Sequence, residues 1–251
     1  MIRRALTLTV CLASLLVLLP CVRPVIGAEQ QKAEGRQELS PELRRLLDEL
    51  DAANEEVEAL TARVQYERSI PLLEEKEKSR GRLVFRKPDL LHLELGKPRN
   101  EEVRCDGETW WLVSHEDRQV EVYPASEDAG PETAFLDFGY GQGSEALLED
   151  YSVEIVSKEH KEQDGDSHTE YRLRFTARPT REDEPPPRYA TIEVELSSRR
   201  WLPHTLVLHE SGGEILHTYR LSRLKLNPDL DEDRFEYEPP RGYTVLHPAE
   251  D

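Results

Sequence analysis

Three hydrophobic patterns succeed one another along this chain. The first is a continuous apolar run from Ala5 to Leu19, preceded by Arg3 and Arg4 and broken by Pro20. A positive start, a short apolar stretch and the small residues of Ile26-Gly27-Ala28 have the layout of a secretory signal over residues 1–28, cleaved before Glu29. The run is shorter than the ~20 apolar residues that a membrane-spanning helix needs. Cys21 offers the alternative of a lipid-anchored N-terminus, but Pro20 stands directly before it, where such sites prefer a small residue.

The second pattern is helical. Ser40-Pro41-Glu42 supplies a capping hydroxyl, a proline for the first helical position and an acid at the positive end of the dipole. Leu43, Leu46, Leu47, Leu50, Ala53, Val57 and Leu60 then share one stripe, with Asp48, Glu49, Asp51, Glu55, Glu56 and Glu58 mostly opposite. The spacing predicts one amphipathic helix of about five turns, whose leucine face must rest on something apolar. Residues 29–39 ahead of it are polar and read as a flexible tether, which leaves residues 40–251 as one domain.

From Ala62 onward the period becomes two. Leu83 and Phe85, then Leu91, Leu93 and Leu95, predict a pair of strands joined around Lys87-Pro88-Asp89. Val103-Arg104-Cys105 and Thr109 to Val113 flank Asp106-Gly107, a hairpin signal whose register sets Val103 opposite Trp110 and on one face with Cys105 and Leu112. Val120 and Val122 continue the meander. Residues 133–149 interrupt it with Gly139, Gly141 and Gly143, and Ser144 is placed to cap a short helix through Leu147. Alternation resumes at Tyr151, Val153 and Ile155, at Tyr171, Leu173 and Phe175, and at Ile192, Val194 and Leu196. The acidic, proline-bearing segment 178–188 reads as a surface loop, and a last hairpin turns at Ser211-Gly212-Gly213. About eleven strands, one long helix near the start and one short middle helix imply a mainly β sandwich or barrel. The leucine-striped helix is suited to cover an open barrel mouth.

Charge narrows the partners. The formal net charge is −18, and −21 once Arg3, Arg4 and Arg23 leave with the signal. Such a surface disfavours nucleic acid and anionic lipid head groups, and it favours a soluble monomer. Cys11 and Cys21 fall in the signal, so Cys105 stands alone and no intramolecular disulfide is available. Its apolar neighbours mark it as a small buried hydrophobe.

Catalytic chemistry is not visible. The chain shows no nucleophile elbow, phosphate-binding loop, dinucleotide fingerprint or zinc-protease helix, and the reading is of a non-enzyme without a cofactor. The acids cluster in runs such as Glu74-Glu75-Lys76-Glu77-Lys78, which are solvated surface. His209 and His217 are expected as neighbours on one face of the last hairpin, with Glu210 and Glu214 on the other. A third ligand is missing, so they are taken as surface histidines and no metal site is expected. Trp110 and Trp111 must point to opposite faces of their strand.

The string Gly81-Arg82-Leu83-Val84-Phe85-Arg86-Lys87-Pro88-Asp89, followed by Leu91-His92-Leu93, Lys97-Pro98 and Val103-Arg104-Cys105-Asp106-Gly107-Glu108-Thr109-Trp110-Trp111-Leu112-Val113, resembles the LolA-like outer-membrane lipoprotein carrier family. So do the closing residues Asn227-Pro228-Asp229-Leu230-Asp231, Phe235 and Pro239-Pro240-Arg241-Gly242-Tyr243. Val64-Gln65 falls where that family has an aromatic-x-Gln strand. The resemblance runs from about Ser40 to Leu246. It implies an unclosed antiparallel barrel of about eleven strands, lidded by helices over an apolar cavity that shields lipoprotein acyl chains in the periplasm. It also implies an inner-membrane releaser and an outer-membrane acceptor as partners. Two departures stand out. The family's best-known carriers have arginine before the first hairpin proline, where this chain has Lys87, and residues 129–148 lack a regular lid helix signature.

The expected cavity residues are Leu83, Phe85, Leu91, Leu93, Val103, Trp110, Leu112, Phe175, Ile192 and Val194. The expected lid comprises Leu43, Leu46, Leu47 and Leu50, on a helix running to Leu60, with Leu147 of the short helix and Lys87 beneath. The function this favours is a periplasmic carrier or binding protein for lipoprotein acyl chains or lipids. The rival is an envelope lipid sensor or scaffold that acts through protein contacts, for which the acidic residues 181–184 and the tether are suited.

Overall fold

The computed structural model describes residues 37–125, 140, 143–163, 165–180 and 186–248. The expected signal, Cys21, the tether before Gln37, Gly139, Gly141 and the acidic residues 181–184 lie outside the described residues.

The fold is the expected mainly β, unclosed antiparallel sheet with, among the described residues, two α-helices, α1 (Pro41–Glu55) and α2 (Ser144–Asp150). The sheet is built from two meanders. One comprises β1 (Ala59–Ile70), β2 (Glu75–Arg86), β3 (Leu90–Leu95), β4 (Glu101–Asp106), β5 (Thr109–Ser114) and β6 (Gln119–Pro124). The other comprises β7 (Tyr151–Gln163), β8 (Asp166–Ala177), β9 (Tyr189–Ser197), β10 (Pro203–Glu210) and β11 (Leu216–Leu226). Their joint is the antiparallel pairing of β1 with β11. A twelfth strand, β12 (Thr244–Leu246), was not foreseen; it is three residues long and pairs with β6 in parallel, so alternation cannot reveal it.

Close approach between strands explains one glycine. A Cβ on Gly81 would lie 1.8 Å from the Glu94 carbonyl oxygen of the adjacent β3. The β4–β5 turn corrects an expected register. Cys105 pairs with Trp110 and Val103 with Leu112, so the two loop residues are Gly107 and Glu108. Gly107 takes φ 94° at the first loop position, and the Asp106 carboxylate accepts from the Glu108 and Thr109 amides, both at 2.9 Å. Val103, Cys105, Trp110 and Leu112 still share one face.

The start of α1 is as the sequence predicts, with Ser40 Oγ accepting from the Leu43 amide at 3.2 Å. Its end is not. The helix stops at Glu55, one turn early, Val57 is buried in the connection, and Leu60 belongs to β1. The stop signal lies 169 positions beyond Glu58: Asn227 Oδ1 accepts from the Glu58 and Ala59 amides at 2.8 and 3.1 Å. Its Nδ2 donates to the Glu56 carbonyl at 2.9 Å, and its own amide donates to the Ala59 carbonyl at 2.7 Å. Asn227 holds φ 48°, a left-handed conformation that asparagine tolerates. Gln37, expected within the tether, is bonded to β7: its Nε2 donates to Val153 O at 2.7 Å and its Oε1 accepts from Val153 N at 2.8 Å. Ser144 is the first helical residue of α2 rather than its cap, a place taken by Gly143.

Beyond β11 the chain crosses the convex face of the first meander. Phe235 is buried there, Arg86 lies 5.5 Å from its ring, and Tyr237 packs 5.8 Å from Trp111. Arg104 donates to the Arg234 and Glu236 carbonyls at 3.1 and 2.9 Å. Beneath this strap Glu102 meets Arg104 Nε at 2.6 Å and His92 Nε2 at 2.7 Å, with His115 Nε2 at 3.4 Å. Burial pushes the Glu102 carboxyl up, but the hydrogen bonds and charges of His92 and Arg104 outweigh it and hold the group at about 2.

Two measurements follow from these contacts. Replacing Asn227 with alanine leaves three backbone groups without their partner and is expected to cost about 1–3 kcal/mol; an unchanged urea midpoint would dismiss the clamp. Glu102 has its folded pKa below the unfolded value, so its contribution is complete above about pH 4.5 and disappears as pH falls through about 2. The Glu102→Gln protein should therefore be less stable than the parent at pH 7, by at most about 3 kcal/mol, with the gap closing near pH 2 in acid titrations of stability.

Candidate functional site

The concave face of the sheet carries continuous apolar rows. In the first meander Leu60, Phe85, Leu91, Cys105, Trp110 and Tyr123 form one row, strand by strand. Ala62, Leu83, Leu93, Val103 and Leu112 form the next. In the second meander Val153, Phe175, Ile192, Leu208 and His217 run across five strands, beside Ile155, Leu173, Val194, Leu206 and Tyr219. Alternation produces these rows directly, since every second side chain points to the same face.

The ten residues expected to line a cavity are thus brought together. Leu83, Phe85, Leu91, Leu93, Val103, Trp110, Phe175, Ile192 and Val194 are buried in one core cluster, and half-buried Leu112 packs against it. Cys105 lies among them with no exposure, and burial pushes its thiol up to about 11. Trp111 faces the other way, onto Tyr237.

Leu43, Leu46, Leu47 and Leu50 of α1 belong to the same cluster, each at most 6% exposed, and half-buried Leu147 of α2 packs on it. The helix therefore lies with its leucine face on the concave rows. Polar contacts pin it at several points. Lys87 Nζ donates to the Asn54 carbonyl in its last turn at 2.6 Å. Burial lowers the Lys87 pKa, and Glu55 partly counters that. Asp51 accepts from the Ser144 amide at 2.8 Å and its hydroxyl at 2.6 Å, tying α1 to α2. Glu42 meets Lys158 of β7 at 2.6 Å.

At one end the concave surface turns polar. Val103 and Leu112 border a pocket of about 230 Å³ with Arg99, Glu101, Ser114 and Gln119 among its walls. Arg99 reaches Glu101 Oε2 through Nε at 2.6 Å and Tyr66 OH through Nη1 at 2.7 Å. Tyr66 OH also meets His217 Nδ1 at 2.8 Å, and His217 Nε2 lies 2.9 Å from Glu210 Oε1. This corrects the expected histidine pair. His209 pairs with Leu216 and His217 with Leu208, so the two imidazoles point to opposite faces. His217 is buried, which lowers its pKa, and among the described residues no cluster of metal-binding side chains occurs.

Several residues at the site were not singled out from sequence. Asn227 and Asp51 act through partners far along the chain, which spacing does not show. Away from the site, Leu72 and Leu73, 83% and 60% exposed at the tip of the β1–β2 hairpin, were readable as an unpatterned Leu-Leu pair beside the charge run.

An unclosed sheet with an amphipathic helix laid on its apolar concave face defines a lidded half-barrel. The family model described as outer membrane lipoprotein carrier protein LolA matches residues 56–238, and the chain belongs to that family. The match begins where α1 has just ended. An outer-membrane lipoprotein carrier protein from Halorhodospira halophila is 28% identical over 169 residues, covering 67% of this chain and 70% of that one. Among solved structures, an uncharacterized conserved protein from Thermus thermophilus shares the fold with a TM-score of 0.50 at 13% identity, over 81% of this chain and 98% of that one. The LolA superfamily protein NE2245 from Nitrosomonas europaea gives 0.41 at 13% identity, over 77% and 97%.

The Lys87 bond yields a direct test. In Lys87→Met the last turn of α1 loses a charge-assisted hydrogen bond, and its backbone amides should exchange with solvent about tenfold faster or more. Protection equal to the parent would show that Lys87 does not hold the helix.

Proposed function

We propose that this protein is a non-catalytic periplasmic carrier that shields the acyl chains of lipoproteins or lipids between α1 and the concave face of its sheet. The observation that carries this reading is the burial of four α1 leucines on apolar rows that continue through Leu83, Leu93, Val103, Phe175, Ile192 and Val194. Membership of the lipoprotein carrier family supports the cargo class. A lifted α1 would expose those rows to a chain whose transfer from water is worth ~0.8 kcal/mol per methylene. Lys87, Asn54, Asp51 and Ser144 hold the lid in this reading. Residues 1–28 would direct export and be removed, and an inner-membrane releaser and an outer-membrane acceptor would supply and receive the cargo.

Native mass spectrometry of the mature protein, purified from its own envelope without detergent, tests the proposal. Adducts with acyl-chain masses are expected, and they should be lost in Leu93→Glu. A bare spectrum that also takes up no added fatty acid or lipopeptide would sink the carrier reading and leave the sensor or scaffold.

A further inference from the structure

The helix does not seal the barrel evenly. Beside the C-terminal end of α1 a groove of about 380 Å³ separates Ala53 and Val57 from Leu202, Leu224 and Leu226. That volume falls within the ~300–1,000 Å³ of small-molecule sites. The groove is open to water at Leu226, which is 40% exposed, whereas Val57 and Leu202 are 1% and 4% exposed. Those two belong to the same core cluster as Leu91 and Leu93, and Leu224 packs against it. One apolar contact surface therefore joins the groove walls to the core beneath α1, with Glu56, Arg200 and Asn227 as the polar members of the lining.

Its walls are held by hydrogen bonds and one ring stack. The Asn227 bonds to residues 56–59 fix the helix side relative to β11. On the other side the Arg200 and Trp201 amides both donate to the Ser197 carbonyl, at 3.1 and 2.8 Å, and Trp201 stacks 5.8 Å from Tyr171. The Arg200 guanidinium borders the groove and donates to the Leu224 carbonyl at 3.3 Å. Among the described residues no carboxylate forms a salt bridge with it. Glu56 is the one acid that also lines the groove.

We propose that this groove is where a single acyl chain docks while α1 is still closed, ahead of its passage into the interior. The chain lies on Leu202, Leu224 and Leu226, and Arg200 meets the carboxylate or carbonyl at its head. The inference rests on the carrier reading and adds the route to it. An apolar peptide or a second copy of this chain would also cover leucines, but neither calls for a guanidinium at the rim of a groove whose walls are continuous with the core under α1.

Stopped-flow association of a fluorescent fatty acid with the full chain tests it. Leu224→Trp fills the groove from the strand side and Ala53→Phe from the helix side, so a folding defect in one leaves the other to decide. Each folded variant should bind about tenfold more slowly or worse, with its urea midpoint and final occupancy kept. Uptake by the parent with unchanged rates in the variants overturns the groove alone. No uptake by the parent overturns the carrier reading and the groove with it. Self-association of the parent that Leu224→Trp abolishes, with acyl uptake untouched, assigns the groove to a second copy and overturns the proposal. Repeating the measurement with a diacylated lipopeptide separates sources of the chain: slowing of both ligands supports a shared route, and slowing of one supports a groove reserved for that ligand.

Discussion

A curled sheet that does not close has an apolar face with no second sheet to cover it, and in this protein the leucine stripe of α1 answers that need. Burying a leucine is worth roughly 1.5–3 kcal/mol, so Leu43, Leu46, Leu47 and Leu50 together contribute on the order of 6–12 kcal/mol to holding the helix down. The hydrogen bonds at its ends are each worth about 1 kcal/mol, and up to ~3 where a charge is involved. Hydrophobic burial therefore sets how firmly the lid lies, and the polar contacts set where. In the proposed carrier an acyl chain competes in the same currency. At ~0.8 kcal/mol per methylene, ten or so methylenes replace what four leucines give up, so exchange between lid and cargo runs close to balance.

The two meanders depend on one long-range joint. Within each, neighbouring strands are neighbours in sequence and their pairing closes short loops. The β1–β11 ladder instead brings Leu60–Ser69 to Leu216–Leu226, more than 140 residues on. Asn227 stands at the end of that ladder and also turns the chain from α1 into β1. The end of α1 and the sheet's central seam are thus secured by the same side chain.

Much of this was legible in the sequence, for reasons that also mark the limits. Alternation reports which side chains share a face, and the residues from Leu83 to Val194 that were expected to line a cavity are together because of it. Ser40-Pro41-Glu42 reports a helix start through local capping chemistry. The helix end carried no glycine, and Val57 and Leu60 continued the stripe by coincidence of spacing, so only the remote Asn227 could reveal that β1 had begun. Hairpin registers failed at both turns, by two partner positions at Asp106-Gly107 and by one at Gly212-Gly213, because the dipeptide marks a turn without fixing which residues are central. The first slip left Val103, Trp110 and Leu112 on one face. The second moved His217 inward to Tyr66 and dissolved an expected pair.

Lys87 stands where the resemblance implies an arginine, and the exchange changes how the end of α1 is held. A guanidinium is planar and can bond several carbonyls of a helix end together, and it stays charged wherever it is buried. An ammonium on a flexible stem makes a point contact; here it reaches the Asn54 carbonyl, which also accepts from the Val57 amide at 3.0 Å. Burial already disfavours its charge, with Glu55 as the opposing influence. The latch is consequently one bond to one atom, set at the same end of α1 as the Asn227 clamp. Closing forces at that end are small and local, while the leucine face supplies a large and diffuse one. In the proposed carrier a lid built this way would yield to whatever replaces its apolar contacts, and moving it would need no specific polar recognition of the helix.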